Sequence, residues 1–160
     1  MSTAFRVTAA PFASHASIPH EYTCEGANVS PALEWADVPD GTATIALIVD
    51  DPDAPGETFT HWVLFNLPPD TTRLPRAVDV RTEFADHVPP PCEGKNDFDD
   101  VGYGGPCPPI GRHRYFHKLY ALDTVLSGLP EAPTKADVEK AMEGHVIEKT
   151  ELMGTCEKGG

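Results

Sequence analysis

The chain has 160 residues, one domain's length, and its 40% hydrophobic and 23% charged residues are ordinary for a packed globular core. Twelve Lys and Arg against 25 Asp and Glu leave a net charge of −13, which opposes binding to nucleic-acid backbones and anionic membrane surfaces. The longest aliphatic run, Ile45 to Val49, is far too short to span a bilayer, and Met1-Ser2-Thr3-Ala4-Phe5-Arg6 lacks the apolar stretch of an export signal.

The expectation is a single domain over residues 1–160, cytoplasmic, with no integral membrane association and no nucleic-acid partner. The carboxylate excess reads either as a solvated surface or as one suited to concentrated salt, where repulsion is screened.

Seventeen prolines and 13 glycines interrupt the chain too often for long helices. Thr44 to Val49 predicts a buried strand, and Trp62 to Leu67 a second, closed by Pro68-Pro69. Val78 to Arg81 predicts a short edge strand. The stretch Thr82 to Pro109, with Pro89-Pro90-Pro91 and Gly104-Gly105, reads as a long functional or mobile loop. Arg114 to Leu122 predicts a third strand, with Tyr115, His117, Leu119 and Ala121 on one face and Phe116, Lys118, Tyr120 and Leu122 on the other.

Thr134, with Asp137 three positions on, is a helix N-cap signature; Val138, Ala141, Met142 and His145 follow at helical spacing, and Gly144 marks the end. Val146 to Met153 fits a second helix or a strand equally well. Together these give a mainly β protein, a two-sheet antiparallel sandwich with one or two short C-terminal helices.

Four cysteines, Cys24, Cys92, Cys107 and Cys156, form no C-x-x-C pair and allow three pairings; without an export signal, free thiols are the default expectation.

Two segments concentrate the chemistry. Asp50-Asp51-Pro52-Asp53-Ala54-Pro55 closes a buried strand and is followed by His61-Trp62. Gly105-Pro106-Cys107-Pro108-Pro109-Ile110-Gly111-Arg112-His113-Arg114-Tyr115 runs from the long loop into the third strand. Carboxylates at a strand end, histidines on neighbouring strands and proline-stiffened loops suit a preorganised polar pocket. An Asp within about 4–6 Å of a His favours the imidazolium, which can receive an anion.

Each residue also has a plainer role open to it. Asp51 could cap a turn, His61 and His113 could be satisfied core histidines, Tyr115 could simply pack, and Arg114 could pair with a carboxylate. His15, His20 and His87 read as solvent-facing, and Cys107 has no base beside it.

Rival chemistries find less support. The five serines include no Gly-x-Ser-x-Gly elbow. Asp51, His61 and His113 are zinc- and iron-ligand types, yet neither a metal nor a cofactor is expected. Asp97-x-Asp99-x-x-Gly102 begins like a calcium loop, but Pro108 stands where the bidentate Glu should be.

Both segments, in order and spacing, resemble the phosphatidylethanolamine-binding protein family, also called Raf kinase inhibitor-like proteins, in its bacterial and archaeal branch. The resemblance rests on Asp51-Pro52-Asp53-Ala54-Pro55, His61-Trp62-Val63-Leu64, and Gly105-Pro106 with His113-Arg114-Tyr115. Tyr22-Thr23-Cys24-Glu25-Gly26, Ser30-Pro31 and Ala141-Met142-Glu143-Gly144-His145 extend it from about Phe12 to about Gly154.

The resemblance implies a two-sheet sandwich with a small cavity for phosphate-like anions, phosphorylated small molecules or phospholipid headgroups. Asp51, Asp53, His61, His113 and Tyr115 would be its polar groups. Gly105 and Pro106 would form a loop wall, and Pro55 would follow a cis bond. A non-enzymatic binding protein that modulates a kinase or a protease is the leading expectation, a homodimer being left open. The alternative is a hydrolase acting on a phosphorylated or acyl substrate in the same cavity. The sequence departs from the family at His117, often aromatic there, at Cys156, often tyrosine, and between Thr82 and Glu93.

Overall fold

In the computed structural model, which describes residues 4–108 and 111–157, the central strand is the most hydrophobic segment of the chain. Strand β3 (Thr44–Asp51) is buried at all eight positions, because both of its faces are covered. It lies in the middle of a five-stranded antiparallel sheet, between β4 (Phe59–Leu67) and β7 (Arg112–Leu122); β6 (Cys92–Glu93) and β8 (Val146–Glu157) are the outer strands. A second antiparallel sheet of three strands orders β1 (Arg6–Ala9), β2 (Leu33–Ala36) and β5 (Arg73–Leu74).

Alternation along β3 divides the interior in two. Ile45, Leu47 and Val49 join Trp62, Leu64, Leu119, Leu33, Trp35 and Val7 in the core between the sheets. Ala46 and Ile48 point the other way and pack with Val63, Phe65, Val138 and Met142 beneath helix α2 (Lys135–Met142). Carried one step further, this alternation separates two adjacent carboxylates. Asp51 follows the inter-sheet side and Asp50 the helix side.

Most sequence expectations hold. The third strand alternates as read, with His113, Tyr115, His117, Leu119 and Ala121 buried. Helix α2 begins at a capping box in which the Thr134 hydroxyl accepts from the Asp137 N–H and the Asp137 carboxylate accepts from the Thr134 N–H. The undecided stretch from Val146 is strand β8, paired with β7 from Arg112↔Glu157 to Leu122↔Val146.

Three expectations are overturned. Val78 to Arg81 is not a strand: Asp79 accepts a hydrogen bond from the Thr82 N–H and starts the short helix α1 (Val80–Glu83). Capping by a carboxylate outweighed the β-branched valines. The cysteines are not all free, since Cys24 and Cys107 form a disulfide with Cα atoms 5.3 Å apart. Folding brings together residues 83 positions apart, beyond the reach of any local spacing rule. Among the described residues the cis peptide is Val88–Pro89, not the bond before Pro55. There the Asp53 N–H donates to Asp51 Oδ1 at 2.7 Å and closes the turn.

Within the segment from Thr82, residues 96–102 close around buried Asn96, whose side chain donates to the Gly102 carbonyl and accepts from the N–H groups of Phe98 and Asp100. Pro109 and Ile110, part of the second chemical segment, and Met1 to Thr3 lie outside the described residues.

Candidate functional site

At the end of β3 a cavity of about 330 Å³ opens beside Asp51, His61, His113 and Tyr115, walled by Pro55, Phe59, Phe98, Cys107 and Pro108. The site sits where β3, β4 and β7 run out together, so each strand contributes a polar side chain. Register places His61: pairing runs Val49↔Trp62 and then Asp50↔Thr60, which makes His61 the extra residue of a bulge in β4.

Asp51 spends both oxygens. One takes the turn-closing Asp53 N–H, and the other accepts from His113 Nδ1 at 2.6 Å. Both side chains are nearly inaccessible, at 4% and 6% exposure, so this is a buried carboxylate–imidazole pair. The capping role and the histidine-holding role belong to the same residue.

His61 is held differently. Its Nδ1 lies 2.7 Å from the Gly104 carbonyl oxygen, which only accepts, so Nδ1 carries the proton and Nε2 presents a lone pair. Burial is the main reason its pKa is lowered, with smaller opposing contributions from the Gly104 carbonyl and Asp51. His61 is therefore a neutral acceptor near neutral pH, rather than a second cation held by a carboxylate.

Tyr115 packs edge-on against the His61 ring at 5.1 Å and parallel to that of His113 at 6.5 Å. Desolvation first, then the Asp51 charge, push its phenol pKa upward, which keeps the hydroxyl protonated.

Asp53 belongs to the surface beside the cavity. Arg114 grips its carboxylate with Nε and a terminal nitrogen, each at 2.9 Å, and these bonds hold its pKa down to about 2. Together they border a shallower groove with His15, Arg112 and His113. Gly105 and Pro106 lie behind the wall. The Gly105 N–H donates to Asn28 Oδ1, a Cβ at Gly105 would overlap the Tyr22 carbonyl, and the Pro106 carbonyl accepts from the Cys24 N–H. This anchoring and the Cys24–Cys107 disulfide fix the wall presented by Cys107 and Pro108.

Sequence reasoning missed the aromatic half of the site. Phe59 and Phe98 meet edge to face at 4.8 Å, and both contact the His61 ring. Phe98 is marked only by standing between Asp97 and Asp99 in a polar stretch, and Asn96, which positions it, by nothing local.

The family model described as phosphatidylethanolamine-binding protein matches residues 8–157, nearly the whole chain. The chain belongs to the phosphatidylethanolamine-binding protein family. A UPF0098 protein of the archaeon Methanothermobacter thermautotrophicus is 49% identical over 148 residues, covering 92% of this chain and 95% of that one. Among solved structures, a phosphatidylethanolamine-binding protein homologue from Chlamydia trachomatis superposes with a TM-score of 0.88 at 38% identity, covering 98% of this chain and 99% of the other. Escherichia coli YbcL, described as a new member of the mammalian family, gives 0.86 at 33% identity, with 96% and 98% covered.

The two solved structures match the two-sheet sandwich over nearly their whole length, consistent with a mainly β family fold. No helix among the described residues is long and apolar enough to cross a membrane. No group of three or more His, Cys, Asp or Glu among them could hold a metal ion.

Proposed function

We propose that this family member is a binding protein whose cavity takes the phosphoryl end of a small molecule or of a phospholipid headgroup. The observation that carries the reading is the buried Asp51–His113 pair in the cavity wall. A histidine backed by a carboxylate can keep a positive charge where an anion enters, and the carboxylate balances that charge while the site is empty.

His61 completes the recognition as a neutral acceptor. It suits a hydroxyl or ammonium proton on the ligand, while Tyr115 offers an O–H. Phe59 and Phe98 line the same space and suit the carbon part of a headgroup. A ligand-loaded domain of this kind would act on a partner protein, a kinase or a protease.

Hydrolysis of a phosphorylated or acyl substrate in the same cavity is less well supported. The described lining residues include no serine or threonine, and Cys107 is tied up in the disulfide.

Calorimetric titration with inorganic phosphate and with O-phosphorylethanolamine, on the wild-type chain and on His113→Ala, tests the reading. The expected result is saturable binding to the wild-type chain that is lost or strongly weakened in His113→Ala. No saturable binding, binding indifferent to the substitution, or turnover of a phosphorylated substrate panel would overturn it.

A further inference from the structure

On the opposite face of the five-stranded sheet the structure holds a second polar hollow, of about 270 Å³, to which Asp50, Thr58, Lys118, Lys135, Lys149 and Glu151 contribute. In a chain of net charge −13 with only 6 lysines, three of them line this one hollow. They come from three elements: Lys118 from β7, Lys149 from β8, and Lys135 from the first turn of α2. Cross-strand pairing sets Lys118 opposite Glu151 and Tyr120 opposite Lys149, so the outer face of the sheet gathers these charges by register.

The carboxylate of Asp50 is 1% exposed, and its bonding is lopsided. Lys118 and Lys135 both donate to Oδ2, at 3.0 and 2.8 Å, while Oδ1 is buried with no hydrogen-bond partner. Two ammonium groups on one oxygen and none on the other leave a desolvated acceptor in need of a donor. The lysines retain donors of their own, since each ammonium carries three. Lys149 rests over the Tyr120 ring at 5.7 Å and reaches Glu151 only at 3.5 Å.

We propose that this hollow is a second ligand site, separate from the Asp51–His113 cavity, for a small oxyanion that brings its own O–H, as hydrogenphosphate does. Three ammonium groups against two carboxylates attract the anion. The buried Asp50 oxygen repels a fully deprotonated oxyanion and accepts from a protonated one. The same arrangement therefore discriminates phosphate, which keeps an O–H at neutral pH, from sulfate, which has none. The Thr58 hydroxyl can donate to or accept from either. This inference does not depend on the function proposed for the other cavity, because consecutive residues of β3 send their side chains to opposite faces.

Residue-resolved NMR separates the two sites in the intact protein. Amide spectra are followed during titration with sodium phosphate and, separately, sodium sulfate at pH 7 and matched ionic strength. The expected result is a saturable response at Asp50, Lys118 and Lys149, with sulfate at least ten-fold weaker than phosphate. Lys149→Gln, a change at the exposed rim, should weaken that response several-fold while leaving any response at His61 and His113 unaltered. Asp50→Asn, which supplies a donor in place of an acceptor, should narrow or reverse the preference for phosphate.

If Asp50→Asn does not fold, the phosphate-to-sulfate ratio and Lys149→Gln decide the matter. No saturable response at these amides, equal potency of the two anions, or a response unchanged by Lys149→Gln overturns the proposal and leaves the cluster as a strut between α2 and the sheet. Silence at His61 and His113 alone would count against the other cavity's reading and not against this one.

Discussion

Asp51 and His113, 62 residues apart in the chain, meet at 2.6 Å on neighbouring strands with almost no access to solvent. The same carboxylate also closes the turn to Asp53, so its charge and its hydrogen-bonding shape can be separated by mutation. Asn accepts the same backbone bond but carries no charge. Asp51→Asn should therefore weaken phosphate binding near neutral pH several-fold, although a negative charge has been removed from an anion site. Simple electrostatics predicts the opposite sign. Calorimetry with inorganic phosphate reads the difference, and tighter binding would return Asp51 to a purely architectural role.

His117 should make the fold acid-sensitive. Fully buried, with Nδ1 unpartnered, it has its pKa lowered to about 4, chiefly by desolvation. The unfolded chain binds this proton near pH 6.5, so between those values the unfolded state holds more protons and stability falls as pH falls. The loss saturates below pH 4 at on the order of 3 kcal/mol, and the lowered pKa of His61 adds in the same direction. Urea denaturation at pH 7, 5.5 and 4 should show a shallower decline for His117→Leu than for the wild-type chain.

Gly105→Ala should destabilise the protein by roughly 1–3 kcal/mol, the usual cost of overpacking. The added methyl would collide with the Tyr22 carbonyl and with Asn28 Oδ1, backbone on one side and a committed acceptor on the other. Phosphate affinity should fall with it, because Gly105 leads directly into the wall formed by Cys107 and Pro108. A melting temperature equal to that of the wild-type chain would show that the segment yields at no cost.

Reduction of Cys24–Cys107 should lower stability by roughly 2–4 kcal/mol, since the bond closes a long loop in the unfolded chain. Denaturation with and without reductant measures it. The double variant Cys24→Ser/Cys107→Ser should match the reduced protein, and it should be indifferent to reductant.

The parts of the fold legible in the sequence are those written in local periodicity. β7 alternates cleanly because one face is the core, and α2 carries its cap at Thr134 and Asp137. β8 resisted because it is an outer strand: its first half is exposed, and Glu148, Lys149 and Glu151 mask the period-two pattern. Within the site, the polar residues sit in two dense segments and could be picked out. The partner of each could not. Asp51 takes His113, Asp53 takes Arg114 and His61 takes the Gly104 carbonyl, and these choices follow from strand register and from the bulge at His61. Phe98 depends on Asn96 tying its loop, a relation between a side chain and three backbone groups that no motif announces.

The size of the Asp51–His113 cavity has a consequence for selectivity. Its volume of about 330 Å³ equals the bulk-liquid share of roughly ten water molecules. That is room for the terminal group of a molecule and not for a long hydrocarbon chain. Anything larger must enter end first and leave its remainder outside. Compounds with the same end and different bodies would thus look alike to the chamber, and any distinction between them would fall to the surface outside it. The interior would set which ends are admitted, and the rim which bodies may carry them.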